Sequence, residues 1–160
     1  MMAADLLLVL LVRAAGRICA LPLEKVAETM RPLPTEPVSG MPPFVRGLAI
    51  LRGVPTPVVD LAALVSGDPG ESVTRFVTLR AGEAAAACDR PIALTVEQVI
   101  GIREVDPGAL GEMPPLLCAA RPELIAAVGV LDRELLAILD VTRILPEGLW
   151  ETLATQEAIG

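Results

Sequence analysis

The side chains that could carry out chemistry are few in this sequence and widely spaced. There is no histidine, which excludes Ser-His-Asp and Cys-His catalysis and removes the most common metal ligand. The single lysine, Lys25, offers little for amine chemistry, and the 20 acidic residues form no compact motif for acid–base catalysis. Phosphate-binding glycine loops and the G-x-S-x-G motif are also absent. We therefore predict that the protein is not an enzyme and uses no cofactor, metal or catalytic residue.

The cysteines, the net charge and the hydropathy limit the compartments and partners that the protein can have. Cys19, Cys88 and Cys118 are isolated, and an odd number of isolated thiols is typical of a reducing cytosol. The net charge of −7, with 13 scattered basic residues, argues against nucleic-acid binding. LLLVLLV, residues 6–12, is preceded by no Lys or Arg and is far shorter than the ~20 residues that span a bilayer. It predicts a strand buried on both faces, in a cytoplasmic protein without membrane insertion.

The most suggestive polar group stands in a turn. In FVRGLAILRGVPTPVVDL, residues 44–61, two apolar runs flank Arg52 and Gly53, and the second run ends at Asp60. Arg52 is either a solvated turn residue or a contact for another protein. The second interpretation is supported by the enrichment of arginine among interface hot spots. Asp60 and Asp140 each precede a short helical pattern, so both acids are predicted to cap helices.

The elements that position these residues occur twice along the chain. ALPLEKV, residues 20–26, is similar to ALTVEQV, residues 93–99, and residues 45–61 are similar to residues 125–141. Two matching blocks in the same order indicate two copies of one supersecondary unit. Each copy contains about five short strands, which are too few for a sandwich but enough for a small closed barrel.

These patterns predict an all-β fold. We expect two small five-stranded SH3-like β-barrel lobes that share a hydrophobic seam, with short helices after each lobe's last strand and at the C-terminus. Lobe 1 would span about 14–70 and lobe 2 about 71–145 of a single domain, 1–160. The N-terminal strand, 6–13, and the C-terminal helix, 147–157, are candidates for packing across both lobes.

Five blocks occur in a recognisable order. They are A-L-P-L-x-x-V-x-E, P-P-F-V-x-G after a Pro-rich loop, L-R-G-x-x-x-P-V-V-D-L, V-E-x-V-x-G and V-x-x-L-D-x-x-L-L-x-I-L-D. This order, over about residues 5–146, resembles the CheW family of chemotaxis coupling proteins. The resemblance implies two five-stranded barrels and a non-enzymatic adaptor. Such adaptors link the cytoplasmic helical tip of chemoreceptors to the regulatory domain of a CheA-type histidine kinase, at membrane-bound receptor arrays.

The resemblance also assigns partner-binding residues. Val26 and Glu28 match the end of the V-x-E block, which faces the receptor helix in the family. Arg52 matches the arginine of the receptor-binding L-R-G turn, and Val99 is the second-lobe counterpart of Val26. Gly47 matches a glycine tied to kinase coupling. Each has a structural alternative: a plain turn for Arg52, the core for the valines, and an unusual backbone conformation for Gly47.

Ile50 and Val54 complete the expected surface on either side of the Arg52 turn. Ile50 stands where the family usually has asparagine, so a kinase-only ring member or decoy that binds no receptor is an alternative. A second alternative is a small enzyme or ligand-binding barrel that uses carboxylates in the seam between the lobes. It requires a deep pocket lined by acidic residues, whereas a seam filled with Val, Leu and Ile would contradict it.

Overall fold

The regular secondary structure of the computed structural model is almost entirely β-strand. The residues that it describes are 6–81, 90–111, 125–131, 133–141 and 144. The described strands are β1 (Leu7–Ala14), β2 (Arg17–Pro22), β3 (Val26–Met30), β4 (Val45–Leu51), β5 (Val54–Asp60), β6 (Arg75–Ala81), β7 (Arg90–Val96), β8 (Gln98–Val105), β9 (Ile125–Leu131) and β10 (Glu134–Leu139). One helix, α1 (Leu61–Ser66), follows β5, and short 3-10 turns lie at Leu23–Lys25 and Pro107–Ala109.

The strands form two five-stranded sheets, which confirms the predicted fold class. Sheet A has the order β8-β1-β2-β10-β9, and sheet B has the order β3-β6-β7-β5-β4. The sheets are related by the repeat, since replacing β1 to β5 by β6 to β10 converts one order into the other. The register is also repeated: Ile138 lies opposite Ala20 in the parallel pair of sheet A, and Val58 lies opposite Ala93 in that of sheet B.

The predicted lobe boundary near residue 70 does not separate the sheets, and the ranges 14–70 and 71–145 are corrected accordingly. Each copy of the repeat contributes its first two strands to one sheet and its last three to the other. The chain changes sheets through the turn at Leu23–Lys25 in the first copy and through Glu97 in the second. The repeat pattern identified the two copies, but sequence similarity carries no information on which strands pair.

The apolar run at the N-terminus lies in the middle of sheet A and serves two cores. Val9 and Leu11 are buried in a cluster with sheet A residues only. Leu10 and Val12 point the other way, into a larger cluster that also contains side chains of sheet B. This cluster is the predicted hydrophobic seam. Leu8 is exposed, so only the later part of the run is buried on both faces.

Each sheet curls until its outer strands approach each other. In sheet B, Glu36 follows the outer strand β3 and exchanges two backbone hydrogen bonds of 2.8 Å with Leu48 of β4, the other outer strand. Gly111 and Val128 exchange the equivalent bonds, of 2.9 Å, in sheet A. The curl lets each sheet enclose a small core of its own beside the shared seam: the cluster around Val9 and Leu11 in sheet A, and one of Ala49, Val58, Phe76 and Ala93 in sheet B.

The local predictions around α1 are confirmed. Asp60 is the N-cap, and its carboxylate accepts a hydrogen bond of 3.2 Å from the backbone N–H of Ala63. Gly67, with φ of 88°, ends the helix in the left-handed conformation. The cap at Asp140 stays a prediction because residues 142–143 lie outside the described residues. The predicted C-terminal helix, 147–157, lies outside them as well.

Cys19 is expected to resist alkylation in the native protein. Its side chain is fully buried, and the burial raises its pKa from 9.0 to about 12, so the reactive thiolate is almost absent at pH 8.5. Because the pKa is raised, the stability that the neutral thiol contributes is complete below pH 9 and is lost between pH 9 and 12. Iodoacetamide labelling at pH 8.5, read by peptide mapping, should modify Cys19 only in denaturant. Labelling at the unfolded rate in buffer would contradict this burial.

Candidate partner-binding surface

The turn that joins β4 to β5 presents Arg52 to solvent. Arg52 and Gly53 have φ of 52° and 80°, and Leu51 lies opposite Val54, so the two residues form a two-residue hairpin turn. A positive φ is uncommon for arginine, whereas glycine adopts it readily. The side chain of Arg52 is 78% exposed. The turn therefore holds a long cationic side chain away from both cores.

Arg52 contacts a second residue of the predicted surface. Its Nη2 donates a hydrogen bond of 2.6 Å to Oε2 of Glu28 on β3. Glu28 lies on the outer strand β3 and Arg52 directly follows the opposite outer strand β4, so the contact depends on the curl of sheet B. An ion pair this exposed contributes only about 0–1 kcal/mol, so a partner's carboxylate could replace Glu28 at little cost.

Ile50 and Val54 extend the surface beside the turn with apolar groups. Their exposed fractions are 62% and 50%. Since paired residues of a hairpin share a face and neighbours alternate, Ile50 shares a face with Pro55, and Val54 shares the opposite face with Leu51. The hairpin thus carries one exposed aliphatic side chain on each face, with the guanidinium group at its tip.

Val26 and Val99 occupy equivalent places at the rim of the seam. Both are half-buried and pack against the seam cluster. Each lies at a shift in strand register: between Val26 and Glu28 in β3, and between Val99 and Gly101 in β8. Both valines thus have a part in the core, as the structural alternative expected, and each keeps a partly exposed side chain where the chain has just changed sheets.

Gly47 is buried, and its surroundings leave room for no other residue. Its φ is 143°, and a Cβ atom there would overlap the carbonyl oxygen of Glu36. The close approach comes from the two hydrogen bonds between Glu36 and Leu48, which lie next to Gly47. Gly47 therefore has a backbone role of its own. It has no side chain to offer to a partner, and its link to kinase coupling stays a prediction.

Sequence reasoning missed a second apolar surface, on sheet A. Leu8 of β1 and Ile102 of the outer strand β8 are exposed, and Ile100 at the register shift of β8 is partly so. A shallow hollow of about 430 Å³ adjoins them and is lined by Leu6, Leu7, Leu8, Leu23 and Glu24. The signal was present in the alternation of V-I-G-I-R, but the run 6–12 looked uniformly buried.

The seam between the sheets contradicts the carboxylate-based alternative. In the described part of the chain it is filled by aliphatic side chains such as Leu21, Val59 and Leu94. A hollow lined by Asp68, Glu71 and Glu97 lies instead beside the β1–β2 turn. There the Glu97 carboxylate accepts a hydrogen bond of 2.8 Å from the N–H of Ala15, so this acid supports the turn.

Metal-binding clusters and membrane-spanning helices are both missing from the described residues. No group of three or more His, Cys, Asp or Glu residues within them could hold a metal ion. None of the helices among them is long and apolar enough to cross a membrane.

Two curled sheets with a shared apolar seam, together with an exposed arginine turn, define a two-lobed all-β domain whose accessible groups lie on turns and outer strands. The sequence model of the CheW-like domain family matches residues 8–148, so the chain belongs to the CheW-like family. Its fold is similar to the crystal structure of the scaffolding protein TtCheW from Thermoanaerobacter tengcongensis, with a TM-score of 0.75. The sequences are 16% identical over 91% of this chain and 90% of that chain. No curated protein matches the sequence significantly.

Proposed function

We propose that this protein is a non-enzymatic chemosensory adaptor that couples the cytoplasmic tip of chemoreceptors to a CheA-type histidine kinase. Membership of the CheW-like family over residues 8–148 carries the proposal. The adaptor binds the regulatory domain of the kinase and the helical tip of the receptor, and it works in the cytoplasm at receptor arrays. Its contacts are individually modest and are reinforced by the many copies in an array.

The Arg52 turn is the proposed receptor contact. The guanidinium group donates a single hydrogen bond of 2.6 Å to Glu28, while its remaining N–H groups face solvent. A receptor helix with a carboxylate next to aliphatic residues complements this arrangement, because arginine binds carboxylates through two parallel N–H groups. Ile50 and Val54 supply the adjoining apolar contacts. Val26 and Val99 extend the same surface toward the seam.

Replacing Arg52 by alanine is expected to weaken receptor binding at least tenfold, or about 1.4 kcal/mol, as for an interface hot spot. Kinase binding should change less than about twofold, which is within the range of contacts outside a hot spot. Calorimetric titration would measure both, with the regulatory domain of each CheA-type kinase of the same organism and with a coiled-coil hairpin of a receptor tip. Arg13→Ala is the matched control, because Arg13 also pairs with a carboxylate, that of Glu134 at 3.2 Å.

The outcomes separate the adaptor from its alternatives. If the native protein binds no kinase of its organism, the proposed function is wrong. If it binds a kinase but no receptor tip, it is the kinase-only ring member, the alternative based on isoleucine in place of the family's asparagine at position 50. If Arg13→Ala weakens receptor binding as much as Arg52→Ala does, the turn is not the specific contact.

A further inference from the structure

A shallow, open cavity of about 380 Å³ lies at one end of sheet B, beneath the proline-rich segment that joins β3 to β4. It is separate from the Arg52 turn and from the seam. Its apolar walls are formed by Pro32, Leu33, Val73 and Phe76. Its polar groups belong to Thr35, Arg46 and Thr95. A concave site with apolar walls and a few converging polar groups is the usual form of a small-molecule site.

Thr95 lines this cavity, and folding leaves its buried hydroxyl group unpaired. The residue is only 2% exposed, and within the described residues its Oγ1 has no hydrogen-bond partner. Other buried threonines of the same sheet are paired: Thr56 donates to the carbonyl of Val54 at 3.1 Å, and Thr78 to that of Glu28 at 3.3 Å. A buried unpaired hydroxyl is destabilising, so its presence calls for a partner outside the chain.

The repeat shows that the fold does not need a hydroxyl at this position. Thr95 lies opposite Phe76 in sheet B, and the equivalent pair in sheet A is Pro22 opposite Val9. Proline has neither a side-chain hydroxyl nor a backbone donor. The polar group is therefore a feature of the cavity in sheet B alone.

Arg46 defines which ligand the cavity can hold. Its Nε and Nη2 donate to Asp60 at 3.2 and 2.9 Å, and Nη2 also donates to the carbonyl of Gly70 at 2.9 Å. The hydrogen bonds that Arg46 makes to described residues come from Nε and Nη2 and none from Nη1. Asp60 already balances the charge of Arg46, so the site offers hydrogen-bond donors without a net positive charge.

We infer that this cavity binds a small molecule with a compact apolar body and one uncharged carbonyl oxygen. The oxygen accepts hydrogen bonds from the hydroxyl of Thr95 and from Arg46, while the apolar body lies against Phe76, Leu33 and Val73. An uncharged acceptor is favoured over a carboxylate because the balanced ion pair does not repay the dehydration of an anion.

Benzamide, benzoate and benzylamine test this inference, because they share a ring and differ only in the polar group. Methyl spectra of the full chain should show saturable shifts of Leu33 and Val73 with benzamide, at a Kd of about 1–5 mM for so small a ligand. Benzoate should bind about tenfold more weakly, and benzylamine, which offers only donors, should not bind. The exposed Val130 is the internal control, since shifts there would indicate non-specific association.

Thr95→Val distinguishes a ligand site from a hydrated hydroxyl. The variant should lose benzamide binding at least tenfold while its Tm rises by about 2–4 °C, because an unpaired buried hydroxyl is removed. Thr56→Val is the matched control: it should keep benzamide binding and lose stability, because its paired hydroxyl is removed. Equal binding of all three probes, no saturable shift at 10 mM, or unchanged affinity in Thr95→Val would each overturn the inference.

Discussion

Replacing Gly47 by alanine is expected to lower the free energy of unfolding by about 3 kcal/mol or more, one of the two largest effects that we expect. Two causes add at this position. The φ of 143° is one that residues with a Cβ rarely adopt, and the new Cβ would overlap the backbone of Glu36. The segment around Glu36 would have to move away from β4, which would break the two hydrogen bonds that bring the edges of sheet B together.

Urea unfolding of Gly47→Ala and Gly101→Ala would separate the two causes. Gly101 has a similar φ of 150°, but a Cβ added there would meet no atom within 4 Å beyond its chain neighbours, so only the conformational penalty of about 1–2 kcal/mol applies. Equal losses in the two variants would show that the contact with Glu36 has no energetic importance. If Gly47→Ala remains folded, its kinase affinity can be measured separately from its stability.

Replacing Asp60 by alanine is expected to lower the free energy of unfolding by about 3 kcal/mol, because one buried carboxylate joins three parts of the chain. Its Oδ1 accepts from the N–H of Ala63 at 3.2 Å, and its Oδ2 accepts from the N–H of Gly70 at 3.0 Å and from Arg46. The loss lies at the lower end for a buried ion pair, because the side chain of Arg46 is 35% exposed and water can solvate its charge.

Asp60→Asn and Asp106→Ala are the comparisons for this prediction. Asparagine can still cap α1 but loses the charge, so roughly half of the loss, about 1.5 kcal/mol, should remain. Asp106 caps an exposed 3-10 turn through a single bond of 2.9 Å to Gly108, and its replacement should cost less than about 1 kcal/mol. Denaturation at pH 7 measures all three. An Asp60→Ala variant as stable as Asp106→Ala would contradict the central role of this carboxylate.

The features that sequence predicted correctly are local ones. The Arg52–Gly53 turn and the Asp60 cap depend on a few neighbouring residues, and turn and cap chemistry act over that range. The repeat and the aliphatic seam were also predictable, because similar blocks and apolar runs are visible without knowing any pairing.

The features that sequence did not predict depend on distant pairings. The exchange of strands between copies follows from hydrogen bonds between segments far apart in the chain, such as Ile18 with Leu136. The contact between Arg52 and Glu28 needs the curl of sheet B, and the exposure of Leu8 needs the position of β8. The cavity at Thr95 is formed jointly by sheet B and by the proline-rich segment that joins β3 to β4. Apart from the alternation in V-I-G-I-R, none of these leaves a local pattern in residue types.

The exchange of strands also has a consequence for synthesis on the ribosome. A nascent chain that ends just before residue 98 already contains all five strands of sheet B, β3 to β7, but only β1 and β2 of sheet A. An isolated two-stranded hairpin is marginally stable in water, so the LLLVLLV run of β1 remains without its second neighbour, β8, until the rest of the chain is made. The same exchange is what two identical five-stranded chains would adopt as a domain-swapped homodimer, and a linker between the copies turns that association into a single fold.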